Sequence, residues 1–231
     1  TVDMTWVFFS GLGAVWRRHG LDVTAISSPG ALLDRFGKEE LAKTVPMTFS
    51  RAINPAADIV NLASLTSVIR RISPDIVHGH TPKGGLLSMI AARIAEVPIR
   101  LYHLHGLAYA TSTGPRRLVL RTTERIACRL ADHVVAVSHS IRRQAVADGL
   151  VPSAKITTLC IGTMNGVDAK VRFNPASVSR QQLDELRHQL GIPETRPVVG
   201  FVGRLVKDKG IADLAQALRE LDRSGRDWHA V

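Results

Sequence analysis

The stretch Ser73–Gly106, SPDIVHGHTPKGGLLSMIAARIAEVPIRLYHLHG, decides the fold class. Its first apolar run, DIVHGH, predicts a strand over 75–80, followed by a Pro-Lys-Gly-Gly turn. LLSMIAARIAEV then predicts a helix over 86–97, and IRLYHLHG a second strand over 99–106. Strands that are apolar on consecutive positions, with a helix between them, belong to a parallel sheet covered on both faces.

The same rhythm extends in both directions. Upstream, DVTAIS (22–27) is a short β-branched strand after a helix closed by Gly20, and ADIVNLASLTSVIRRI has helical period and stops before Pro74. Downstream come a helix over 116–131, the strand HVVAVS (133–138), a helix over 140–149 and the strand KITTLCIG (155–162). The pattern breaks after Asp168. NGVDAKVRFNPASVS is loop-like, and SRQQLDELRHQLGIP is an amphipathic helix closed by Gly191. A new strand over 197–202 opens a second βα unit, continued by the helix IADLAQALRELDRSG and by WHAV. The expected organisation is a doubly wound α/β domain over 1–168, a linker and junction helix over 169–196, and the start of a second domain over 197–231. The opening TVDMTWVFF leaves no room for a full strand before the first helix, so a missing start is expected as well.

The 231 residues are 45% hydrophobic with a mean hydropathy of +0.07, which suits a globular chain. No uncharged apolar run reaches the roughly 18 residues of a spanning helix, and no export signal is legible. The net charge of +10 suits nucleic acid, an anionic membrane or a phosphorylated substrate. Nucleic acid is disfavoured, because few aromatics are interleaved with the cations and no nucleic-acid module is present. Cys128 and Cys160 both sit in apolar settings and read as buried free thiols. The SGLG turn (Gly11, Gly13) lacks the third glycine of a dinucleotide fingerprint and is set aside.

In doubly wound sheets ligands bind beyond the carboxyl ends of the strands. Two His-x-His pairs fall there, His78 with His80 and His103 with His105. Alternate strand residues point the same way, so each pair can present two imidazoles to one site. Three readings stay open. One is a metal centre of amidohydrolase type, which needs carboxylate or Lys ligands that Asp132 and Asp168 are poorly placed to give. The second is histidines satisfied by backbone, and the third is recognition of a sugar or phosphate, helped by Lys83 and the Gly84-Gly85 turn. A second anion-binding candidate is VVGFVGRLVKDKG (198–210). There Gly200 and Gly203 allow close backbone approach, a helix N-terminus follows, and Arg204 and Lys209 carry charge suited to a diphosphate. Arg117, Arg121, Arg125 and Arg129 repeat at i+4 beside Leu118, Thr122, Ile126 and Leu130. The stripe is either a solvated helix face or a contact for anionic lipid.

SPDIVHGHTPKGGLLSMIAAR, LYHLHGL, LADHVVAVSHSIRRQ, KITTLCIGTMNGVD and LGIPETRPVVGFVGRLVKDKGI, in this order, resemble family 4 glycosyltransferases of the GT-B fold. The likeness is strongest to enzymes that build capsule, O-antigen and other lipid-linked bacterial glycans. It implies an N-terminal domain for the acceptor and a C-terminal domain for a UDP- or GDP-linked sugar. Transfer would be retaining and metal-independent, with no cofactor beyond the nucleotide sugar. It further implies that Gly203, Arg204 and Lys209 hold the donor diphosphate and that His105 approaches the transferred sugar. His80, Lys83, Gly84, Asn165 and Gly166 would serve acceptor or sugar binding. Apart from the resemblance, the lipid reading of the arginine stripe would set the four arginines on an anionic membrane surface, with the protein peripheral at its cytoplasmic side. The family's Glu-x7-Glu motif is not found in this chain, so the resemblance implies a fragment that is inactive alone.

Overall fold

A computed structural model describes residues 9–49, 54–164, 166–203, 205–206 and 209–231. The chain divides into two compact units, 1–166 and 167–231, so residues of the expected linker fall in the second unit.

The first unit alternates helices and strands: α1 (Gly13–Arg18), β1 (Thr24–Ser27), α2 (Ala31–Glu39), β2 (Lys43–Pro46), α3 (Pro55–Ile72) and β3 (Ile76–His80). There follow α4 (Pro82–Ile94), β4 (Ile99–Leu104), α5 (Gly114–Leu130), β5 (His133–Ala136), α6 (His139–Ala147) and β6 (Ile156–Thr157). β3, β4, β5 and β6 lie side by side in that order, all parallel, and β1 pairs with β2 in the same sense. Parallel neighbours joined by helices are the α/β arrangement that the sequence predicts.

Local chemistry sets the helix ends. Asn54 caps α3, its Oδ1 accepting from Ala57 N at 3.2 Å with Pro55 in the first turn, and Ser138 caps α6 through Ile141 N at 3.2 Å. One face of the sheet carries Tyr102, Leu104, Val134 and Ala136, which pack with Met89 of α4 and Ala127 and Cys128 of α5. A second cluster joins Leu65 and Ile69 of α3 to Leu87, Ala91 and Ala92 of α4.

Three expectations are corrected, and two elements were not anticipated. The Pro-Lys-Gly-Gly segment is the first turn of α4 rather than a loop before it. Pro82 fits the first helical position, and Gly85 is demanded by packing, since a Cβ there would lie 2.1 Å from the Tyr102 ring. The helix Ala31–Glu39 and the strand Lys43–Pro46 carry no signal read from the sequence; KTVP has no alternation and ends in proline. The strand expected over 155–162 is only Ile156–Thr157, because Cys160 (φ 50°) and Gly162 (φ 89°) turn the chain away. Cys160 is exposed, whereas Cys128 is buried and its thiol is pushed up to about 12 by desolvation first.

The second unit holds α7 (Arg180–Gln189), β7 (Val198–Val199), α8 (Ile211–Arg223) and β8 (His229–Ala230), with β7 and β8 parallel. β7 is shorter than the strand expected over 197–202. Ser179 and Gln182 form a reciprocal capping box at the start of α7, at 3.2 and 2.9 Å. Among its described residues only Ile192 is a buried hydrophobic.

Candidate functional site

β3 ends at His80, and the parallel register sets His80 beside His103 of β4. With a period of two, His78, His80, His103 and His105 all rise on the sheet face opposite Tyr102. The structure brings the four rings together. Neighbouring centroids lie 4.1 to 5.4 Å apart, and His80 Nδ1 meets His105 Nε2 at 3.1 Å. Phe9 sets its ring edge-on to His80 at 4.7 Å.

Desolvation keeps these imidazoles neutral. It is the first cause in lowering His78 and His105 to about 4 and His103 to about 3. Coulombic repulsion adds to it, from His105 at His78 and from His105 and His78 at His103. His80 is held well below its ordinary value by desolvation and by all three neighbours. A neutral imidazole offers one N–H donor and one lone pair, which suits a sugar hydroxyl. His103 is 5% exposed, and neither of its ring nitrogens has a hydrogen-bond partner among the described residues.

The chain leaves His80 through Thr81, a non-glycine residue at φ 66°, and enters α4. Lys83, in the first turn, pairs with Asp58 of α3 at 2.8 Å. Sequence reading missed Asp58; the two residues are 25 apart and no spacing links them. Gly84 allows close passage, since a Cβ there would approach Thr81 Oγ1 to 3.0 Å. The SGLG turn also holds an anion. Gly11 N and Gly13 N donate to the two carboxylate oxygens of Glu40 at 2.5 and 2.8 Å.

The carboxylates that a hydrolytic metal centre would need are engaged elsewhere. Asp132 accepts from Arg100 Nη2 at 2.5 Å and from Arg100 N at 2.7 Å, at the opposite end of the sheet. Asp168 accepts from Val171 N at 3.0 Å, in the second unit, and is lowered by backbone hydrogen bonds, that of Val171 first.

Gly166 has φ 75° and donates to Thr163 Oγ1 at 3.3 Å. Gly203 and Lys209 are exposed in the second unit, where Gly210 (φ 72°) leads into α8. Asn165 and Arg204 lie outside the described residues. On α5, Arg117, Arg121, Arg125 and Arg129 are exposed, as are Leu118, Val119 and Ile126. Arg121 also donates to Asp148 O at 2.6 Å, and Arg117 lies 5.9 Å from the Tyr109 ring centre. No described helix is long and apolar enough to cross a membrane.

The profile of the glycosyl transferase 4-like domain matches residues 5–162. The chain belongs to this family. Among similar proteins, the capsular polysaccharide biosynthesis glycosyltransferase CapM of Staphylococcus aureus is 34% identical over 209 residues, covering 90% of this chain and 53% of its own length. The UDP-Gal:alpha-D-GlcNAc-diphosphoundecaprenol alpha-1,3-galactosyltransferase of Escherichia coli is 30% identical over 191 residues, covering 82% of this chain and 47% of its own. The chain therefore spans about half the length of these relatives. The crystal structure of a glycosyltransferase from Rickettsia africae matches with a TM-score of 0.67 at 22% identity, over 94% of this chain and 53% of that one. Anabaena Alr3699/HepE, solved with UDP-glucose, matches with a TM-score of 0.63 at 22% identity, over 95% of this chain and 52% of that one. The fold of this family member is α/β of the GT-B type.

Proposed function

We propose that this chain carries the acceptor side, and part of the donor side, of a retaining glycosyltransferase in capsular or lipid-linked polysaccharide synthesis. The observation that carries the proposal is the hydrogen-bonded His80–His105 pair at the carboxyl ends of adjacent parallel strands, where ligands of such sheets bind. His105 meets the transferred sugar, and His80 holds it in one tautomer. Lys83 and Asp58, at the start of α4 and on α3, supply a charge-assisted pair for acceptor hydroxyls, and Gly84 gives access. Asn165 and Gly166 line the sugar in the same scheme.

In the second unit Gly203, Arg204 and Lys209 hold the diphosphate of a UDP- or GDP-linked sugar, without a metal cofactor. The acceptor oxygen bonds to the anomeric carbon as the bond from that carbon to the diphosphate breaks, and the hydroxyl proton goes to the departing phosphate oxygen. Cations aimed at that oxygen stabilise the developing charge. The name of the Escherichia coli relative supports a diphosphopolyprenol-linked acceptor and an α-linked product. From an α-linked nucleotide sugar that outcome is retention. An acceptor of this kind lies at a membrane, and the arginines and exposed Leu118, Val119 and Ile126 of α5 suit docking on its anionic cytoplasmic surface.

The test is transfer from a panel of nucleotide sugars to diphosphopolyprenol-linked acceptors, using the full reading frame to which this chain belongs. His105→Ala should lower kcat by about two orders of magnitude or more, with folding intact by circular dichroism. Undiminished transfer in that variant would remove His105 from the reaction.

A further inference from the structure

We propose that His78, His80 and His103 form a binding site for one divalent cation of the zinc class. The inference does not depend on sugar transfer. One ring nitrogen from each of the three residues lies within 4.8 Å of the other two. The convergence follows from strand geometry: His78 and His80 alternate on β3, and the register puts His103 of β4 beside His80. Zinc bound by imidazole sits about 2.0–2.1 Å from each nitrogen, which in a tetrahedron separates nitrogens by about 3.4 Å. Small rotations of the rings would close that gap.

An independent observation points to a ligand at the same place. His103 is 5% exposed, yet neither ring nitrogen is hydrogen-bonded among the described residues. A buried polar group without a partner is uncommon and unfavourable, and a cation would take up the lone pair that the protein leaves unused. His80 has the kind of outer partner expected of a metal-bound histidine, because its Nδ1 meets His105 Nε2 at 3.1 Å. His78 is the residue of the three that reaches solvent, although neighbouring atoms crowd its ring, and it gives a route of entry.

The donor set selects the ion. Three imidazoles with no carboxylate suit zinc, cobalt, nickel or copper and exclude calcium and magnesium, which take oxygen ligands. Three protein ligands leave a fourth position for water or a hydroxyl.

The test uses the 231-residue chain without a histidine tag, stripped of metal and titrated with zinc or cobalt chloride. Binding is read by calorimetry and by the visible absorption of protein-bound cobalt. The expected result is one cation per chain, with affinity reduced about tenfold or more in His78→Gln and in His103→Phe. His188→Gln, on the exposed side of α7, should bind as the parent does. Zinc should raise the melting temperature of the parent and of His188→Gln, but not of His78→Gln. If His103→Phe fails to fold, His78→Gln decides, since His78 is the most exposed residue of the three. Absence of saturable binding, or equal affinity in His78→Gln, would overturn the site.

Discussion

Replacing Glu124 by Gln should remove a pH-dependent weakness from the first unit. Glu124 of α5 is 2% exposed and accepts a hydrogen bond from the hydroxyl of buried Tyr102. Desolvation pushes its carboxyl from 4.5 up to about 7, while the Tyr102 hydrogen bond works in the opposite direction. The folded state therefore binds this proton more tightly than the unfolded chain. The resulting stability is fully present below pH 4.5 and is lost as pH rises through 7. A rise from 4.5 to about 7 corresponds to about 3 kcal/mol, at 1.36 kcal/mol per pH unit. Most of it, about 2–3 kcal/mol, falls between pH 5 and pH 8. Glutamine keeps an acceptor for Tyr102 and carries no charge. Urea unfolding of both proteins at pH 5, 6, 7 and 8 gives the test, and the difference between them cancels the histidines. The advantage of Glu124→Gln should grow by about 2–3 kcal/mol across that range. A difference that stays constant with pH would refute a proton held by burial.

Gly85→Ala should destabilise the first unit by about 1–3 kcal/mol or more, because its Cβ would meet the boxed-in Tyr102 ring at 2.1 Å; an unchanged urea midpoint would contradict this. Gly84→Ala, with only Thr81 Oγ1 at 3.0 Å, should cost less in the same measurement. Changing Arg117, Arg121, Arg125 and Arg129 together to Gln should release the protein from anionic vesicles, and binding by the parent should weaken with salt; equal co-sedimentation of the two proteins would discard the lipid contact. In the full reading frame, Arg204→Ala and Lys209→Ala should each depress kcat/KM for the nucleotide sugar by about a hundredfold, and an active double variant would end the role given to that turn.

Much of the fold was legible because helical period and apolar strands report burial directly. The helix ending before Pro74 and the basic helix over 116–131 match α3 and α5 to within a few residues. The Pro-Lys-Gly-Gly turn misled because two glycines normally argue against helix, and only a contact with Tyr102, 17 residues away, explains Gly85. β2 was invisible for a related reason: a four-residue strand bearing Lys43 and Pro46 is fixed by its pairing with β1 and by nothing local. At the site, the two His-x-His pairs and their shared side could be read from a period of two. The pairing of Lys83 with Asp58 and of Glu40 with Gly11 and Gly13 could not, because each joins residues more than 20 positions apart. Cys160 reads as buried from its apolar neighbours, but the turn at φ 50° exposes it.

The arrangement of β4 gives these separate features a common cause. Successive residues of a strand face opposite sides, so Tyr102 enters the α4–α5 core while His103, one residue on, enters the histidine cluster. Tyr102 is fixed from two directions, by the bare backbone of Gly85 and by the carboxyl of Glu124. Its backbone cannot shift without carrying His103 along, and interiors packed at this density transmit small displacements rather than absorbing them. Ionisation of Glu124 should therefore reach the imidazoles through β4 even though no charged group of the cluster touches it. A measurable consequence is that the histidine ring NMR signals of the parent should move between pH 6 and pH 8, around the carboxyl's value of about 7 and well above the imidazoles' own. In Glu124→Gln those same signals should stay still. Identical titration of the rings in both proteins would show that the two faces of β4 are mechanically independent.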